Sequence, residues 1–290
     1  MKKLTREEVL AQIESGNKDL SKCDLSGLDL SGANLSDCDL SYANLSGCDL
    51  SGLDLTDVNL MHAALSGADL TEAKLIGVNL MHANLEGANL RYANLTGADL
   101  WGVILFGAKL YKADLTDADL SHADLVDANL SKCDLRGANL FEADLTSAIL
   151  LGANLFGADL RYANLSDANL ICASLFGARL RYANLFDADL RGADLSYLNL
   201  LDADLSDANL FGAKLRDANL RNAVLIGLNL FGANLLGAKL RAADLRYADL
   251  ENATLADADL FGANLAGAHF CNTNLKGADL TDAKLEGVIE

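Results

Sequence analysis

The 290-residue sequence contains no proline. No Pro/Gly/Ser-rich linker and no block of like charge divides it, so its organisation must come from a repeat. Long apolar runs are missing too. Although 51% of the residues are hydrophobic, no segment approaches the run of about 18 apolar residues that a membrane helix needs. The opening "MKKLTREEVLAQ" places Arg6, Glu7 and Glu8 where a signal peptide requires an apolar core. These absences predict a soluble, cytoplasmic protein. Basic residues are scarce, 23 against 41 acidic ones, for a net charge of −18. That balance argues against direct nucleic-acid binding, because phosphates call for Lys and Arg. It suits a chain that stays soluble or meets a basic surface. The acidic excess is heavier in residues 1–150 than in 151–290.

What is present is a period of five. Every fifth residue from Leu20 to Leu285 is leucine, except Phe270, and no insertion breaks the register. Two residues before each leucine stands a small side chain, usually alanine (Ala33, Ala83, Ala158, Ala243) and occasionally Cys23, Cys38, Val58, Leu198 or Thr273. Asp or Asn usually fills the place between, giving A-[D/N]-L-x-x.

A helix cannot use this period. Five residues turn a helix by about 500°, which leaves successive leucines roughly 140° apart and forms no stripe. A straight strand cannot use it either, because an odd period sends alternate leucines to opposite faces. The pattern becomes consistent if the chain turns a corner in every repeat. Leucine and the small residue then point inward on each short side, with Asp or Asn between them pointing out. Glycine supports the corner: of 24, all but Gly16 lie two residues after a repeat leucine. With leucine as the first residue of a type II turn, that is the third, where φ is positive. Asp167 and Asp187 take the same place and tolerate it better than most residues.

"SGANL", "TGADL", "FGADLRYANL" and "EGANLRYANL" resemble the consensus of the pentapeptide-repeat family from Asp19 to about Gly287. The resemblance implies an all-β fold, a right-handed quadrilateral β-helix with four repeats, or 20 residues, per coil. It implies about 13 coils for this chain, a rod roughly 65 Å long at the usual strand spacing. Residues 1–17 are expected to form an N-terminal capping helix and 18–290 a single β-helix. Thr5-Arg6-Glu7-Glu8 has the form of a capping box, with Leu4 and Val9 as its hydrophobic staple. Val9, Leu10 and Ile13 share one face, and Gly16 stands where the helix should end, which predicts a helix over residues 6–15. The C-terminal "AKLEGVIE" stays in register. Either the last coil stacks on a second copy, the chain has been cut from something longer, or Lys284, Glu286 and Glu290 protect a frayed end. Many members of the family dimerise through this end, so the resemblance favours a homodimer.

Columns of residues 20 apart give the candidate sites. Cys23, Cys38, Cys48 and Cys133 occupy the inward small-residue place, whereas Cys172 and Cys271 face out. No two share a column, which excludes disulfides between neighbouring coils, and no CxxC offers zinc ligands. His62, His82 and His122 share a column with Gly102 between them, two nitrogens being too few for a metal centre. Asp29, Asp49 and Asp69 stack, as do Asp114 and Asp134, an arrangement expected to raise their pKa values or attract a cation. A convex surface gives such carboxylates no cleft for acid–base work. No nucleophile elbow or phosphate loop appears, and the GxxxxG spacings arise from the repeat alone. No catalytic residue, metal or cofactor is expected.

All nine phenylalanines except Phe270 directly follow a repeat leucine and should face outward. Leu151 and Ile171 would stack, as would Phe156 with Phe176 and Phe211 with Phe231, forming a candidate partner surface. The alternative is that the rings fill grooves beside the glycines. A second column reads Arg161, Arg181, Leu201, Arg221, Arg241, beside Tyr162 and Tyr182. It would grip an acidic or phosphate-bearing partner, or else pair with nearby aspartates.

Three functions follow. The first is a non-enzymatic scaffold that binds another protein. The second, implied by quinolone-resistance members of the family, is a DNA mimic that binds type II topoisomerase. Against it, −18 over roughly 65 Å is only about half the charge density of the duplex. Those members also carry repeat-breaking loops and a C-terminal helix absent from this sequence. The third is an idealised solenoid with no partner, against which the varied outward residues speak.

Overall fold

A corner in every repeat is what the computed structural model of residues 1–290 contains. The residue two places after each repeat leucine, from Lys22 to Gly287, has positive φ whether or not it is glycine. The chain forms two compact units, Met1–Asp144 and Leu145–Glu290.

In the first unit, β1 (Lys2–Lys3) lies parallel to β2 (Cys23–Asp24), with α1 (Arg6–Glu14) between them in sequence. Thr5 and Glu8 make both halves of the capping box, the staple residues Leu4 and Val9 are buried, and Gly16 follows at φ +86°. The helix ends one residue earlier than the sequence predicts. Only Val9 of its apolar face is fully buried, with Leu10 and Ile13 half-buried. Arg6 reaches back to donate to the carbonyls of Asp29 (2.7 Å) and Ser31 (3.0 Å).

Within each unit the coils close in 20 residues and pair in parallel with their neighbours, as in Asp29↔Asp49↔Asp69 of the first unit and Asn164↔Asn184↔Asp204 of the second. One repeat shows why the period holds. Leu185 N–H donates to Asp204 O in the following coil (2.7 Å), as Asp187 N–H does to Ser206 O (3.0 Å). Ala188 N–H closes the turn on Leu185 O (3.1 Å), and Asp189 N–H reaches back to Ala168 O (2.9 Å). The remaining donor, Phe186 N–H, bonds to the side-chain Oδ1 of Asn184 (3.0 Å). Leu95–Asp99 in the first unit repeats the scheme, with Thr96 N–H on Asn94 Oδ1. All five N–H groups are therefore committed, and no position of such a repeat has one to spare for proline.

The Asp or Asn before leucine is thus a corner-maker. Its Oδ1 accepts from the N–H two residues on, a local bond these side chains favour in turns. At many repeats where Ser or Thr follows the leucine, its hydroxyl donates to the same oxygen, as Ser21 does to Asp19 and Thr96 to Asn94. The inward leucines and small residues are buried almost without exception up to Ala268. Beyond it, in the last coil, they are only partly covered, and Leu285 is 42% exposed.

Candidate interaction surfaces

With three of the five positions spent on core and corner, outward chemistry falls mainly to the two residues after each leucine. In the second unit the residues expected to form a partner surface stand there. Phe156 and Phe176 stack face to face at 5.6 Å, and Tyr197 meets Phe176 edge-on at 5.9 Å. Phe156 is 50% exposed, and Leu151 and Phe176 are also exposed, with Ile171 half-buried alongside. Phe211 and Phe231 stack separately at 5.4 Å, and Arg191 stands in the column between them and Ile171. The six residues thus form two patches.

The arginine column divides by neighbour. Arg161 is held by the carboxylate two residues back, with Nη2 2.6 Å from Asp159 Oδ2, and Arg181 stands 3.7 Å from Asp202. Arg241 lies over the Phe261 ring at 4.0 Å, while Arg221 makes no ion pair. Two of the four are therefore engaged by aspartate.

The aspartate stack corrects its expectation. Asp29 is held below the usual carboxylate range by hydrogen bonds from the Ser31 hydroxyl and backbone. Burial alone would push Asp69 up, but Thr71 and Asn89 donate to it and leave it lowered. Corner hydrogen bonds together outweigh burial at both carboxylates. No group of three His, Cys, Asp or Glu side chains converges to hold a metal. Of the inward cysteines, Cys38, Cys48 and Cys133 are buried, whereas Cys23, in the first coil, is half-buried. Burial pushes the Cys133 thiol up to about 12. All six are free thiols.

The first unit carries a feature that the histidine column only hinted at. Tyr42, His62, His82, Trp101, His122 and Phe141 form a continuous ladder of rings with neighbouring centroids 4.5–5.9 Å apart. Trp101 fills the rung that Gly102 leaves empty. His122 Nδ1 also faces Glu142 Oε2 at 3.2 Å. The signal was present in the sequence: Tyr42 shares the histidine column, and Trp101 and Phe141 stand one place before it.

Pentapeptide repeats match the chain in overlapping segments from residues 19–57 to 255–289, together leaving out only residue 172 of that span. The chain belongs to the pentapeptide-repeat family. Membership implies a right-handed β-helix. HetL of the cyanobacterium Nostoc, involved in heterocyst differentiation regulation, is 31% identical over 98% of this chain and 96% of its own, at a TM-score of 0.31. Rfr23 of the cyanobacterium Cyanothece is 38% identical over 31% of this chain, which spans 63% of its length, at a TM-score of 0.31. QnrB1, a plasmid-mediated fluoroquinolone resistance protein, is 22% identical over 74% of this chain and 90% of its own, at a TM-score of 0.30. No protein of curated function matches the pentapeptide-repeat chain. No helix in it is long and apolar enough to cross a membrane.

Proposed function

We propose that this pentapeptide-repeat chain is a non-enzymatic scaffold that binds another protein through the rings of its second unit. The observation that carries the reading is the exposed stack of Phe156, Phe176 and Tyr197 beside Leu151. Contiguous apolar patches on a folded surface commonly mark contact sites. Aromatic side chains also bring much contact area at little entropic cost. In this reading the chain works in the cytoplasm and binds neither membrane nor nucleic acid directly. The twenty-residue coil recurs roughly 13 times between residues 19 and 289, and α1 covers the first coil. A homodimer joined through the last coil belongs to the same reading. The test is co-precipitation of cell extract on the immobilised chain, comparing wild type with a Phe156→Ser, Phe176→Ser double variant. A band retained equally by both would refute the assignment of this face.

The acidic excess supports a second reading, a DNA mimic directed at type II topoisomerase. A gyrase supercoiling assay, with and without a quinolone, separates the two. Inhibition or drug protection that survives the double phenylalanine change would favour the mimic.

A further inference from the structure

The second unit has a surface groove away from the phenylalanine patches. In the segment "RYANLFDADL", Tyr182 and Phe186 stand on the two corners that flank the strand position Asn184. The neighbouring coils place Ser166 and Ser206 where Phe186 stands, so this ring rises alone on its corner. Between the two corners lies a groove of about 470 Å³, lined by Ser166, Asp167, Tyr182, Asn184, Phe186, Asp202 and Asp204, with Ala183 beneath. It is shallow and open to solvent, which suits a side chain presented from another surface rather than an enclosed ligand. Both rings are about two-fifths exposed.

Its lining is acidic, with Arg181 on the rim. Asp167 lies one coil before the rings, and Asp202 and Asp204 one coil after. Asp204 accepts from Ser206 through Oδ1 alone, and Asp167 makes no side-chain hydrogen bond or ion pair. One cation of the chain already stands on the rim. The Arg181 guanidinium carbon lies 4.5 Å from the Tyr182 ring centre, Nη2 donates to Tyr182 Oη at 2.7 Å, and Nη2 stands 3.7 Å from Asp202. Arg181 and Tyr162, which stacks on Tyr182 at 4.9 Å, engage one wall. Phe186, Asp167 and Asp204 Oδ2 remain for an incoming group.

We propose that this groove receives an arginine side chain presented by the protein partner. A planar guanidinium can lie against Phe186 while its N–H groups meet the carboxylates, a combination that a point-like ammonium matches less well. The net charge of −18 draws such a side chain toward the surface. The proposal rests on the protein-binding reading but uses a different site from Phe156 and Phe176.

The test is NMR titration of the full chain with N-acetyl-argininamide, with the neutral isostere N-acetyl-citrullinamide and N-acetyl-lysinamide alongside. Saturable shifts are expected at the amides of Asn184, Phe186 and Asp204, with millimolar affinity for argininamide. Citrullinamide should bind about tenfold more weakly and lysinamide severalfold more weakly. Phe186→Ser should weaken argininamide about tenfold, and Asp167→Asn severalfold. Both variants should fold, since serine already fills the equivalent corner at 166 and 206, and Asn222 and Asn252 hold the same left-handed site as Asp167. Shifts that do not saturate, that spread over every acidic edge, or that persist in Phe186→Ser would overturn the proposal. Loss of the groove on these grounds would leave the Phe156–Phe176 face standing, because that face is tested by a separate variant.

Discussion

Gly97 stands at a left-handed corner, φ +63°, with nothing within 4 Å of where a Cβ would sit. Gly97→Ala therefore isolates backbone strain from crowding. A left-handed conformation costs a residue with a Cβ about 1–2 kcal/mol. Part returns through the stiffer unfolded chain, about 0.4–1 kcal/mol. The expected net loss is about 0.5–1 kcal/mol. Ala242, at φ +55° with neither ring nor polar tip, is the reciprocal case. Ala242→Gly should stabilise by a similar amount. Gly77→Ala adds crowding, since its Cβ would stand 2.7 Å from Asp57 Oδ1, but that carboxylate is a side-chain end free to swing. It should lose only a few tenths of a kcal/mol more than Gly97→Ala. Urea unfolding followed by far-UV circular dichroism gives the midpoints, with an unchanged slope required for comparison. If Gly97→Ala were neutral while Ala242→Gly destabilised, the corners would not be strained and the argument would fail.

Leu165 is fully buried, so Leu165→Ala should destabilise by about 2–5 kcal/mol through the cavity it leaves. Leu285→Ala, at a partly exposed site, should cost less than half as much in the same urea assay. Acid should unfold the chain by a signed route: Asp69, Asp159, Asp194 and Asp244 all have lowered folded pKa values. Their stabilisation is full above the unfolded value, about 3.9, and is lost as pH falls through the depressed folded ones. The urea midpoints of wild type and Asp69→Asn should therefore converge below about pH 4, and a constant gap would contradict the sign. In intact-mass measurements at pH 8, iodoacetamide should label the exposed Cys172 and Cys271 quickly and spare folded Cys133, whose thiol stays protonated. Rapid labelling of Cys133 would show that its coil opens.

The corner, the inward leucines and the left-handed glycine site were legible because each demands a particular residue type. The start of α1 was legible through its capping box. Less visible was the work of Asp and Asn. Their outward place was clear, but the bond from Oδ1 to the N–H two residues on is a matter of turn geometry that residue type alone does not report. The tyrosines and histidines at left-handed corners were less visible still. Three histidines, a type enriched at positive φ, and six tyrosines, Tyr42 and Tyr182 among them, for which it is unfavourable, hold such corners. Several stack on the next coil, as Tyr42 does on His62 and Tyr162 on Tyr182. Such pairs contribute about 0.5–1.5 kcal/mol, enough to offset much of the strain. The groove beside Phe186 was hidden for a similar reason: it depends on serines in the coils before and after, not on any motif within one repeat.

The missing proline and the candidate surfaces share one cause. A repeat such as Leu185–Asp189 commits every N–H, its leucine and small residue form the core, and its Asp or Asn ties the corner. Little is left to vary except the two residues that follow each leucine. Phe156, Phe176, Phe186, Tyr182, His82, Trp101 and the four arginines of the column all stand there. Recognition in this chain should therefore be separable from folding in a way that compact domains rarely permit. Replacing a corner pair by Ser-Asp, a pair the chain already uses at Ser166-Asp167, should move stability by no more than about 0.5 kcal/mol unless it removes a stacked ring. Replacing Asn184 should do the opposite. Its Oδ1 receives the Phe186 N–H and its Nδ2 donates to Asn164, so Asn184→Ala should destabilise by about 1–2 kcal/mol even though the side chain faces outward. If that change proved neutral, the corner would be held by the backbone alone, and the argument that assigns Asp and Asn to structure and the following pair to recognition would not stand.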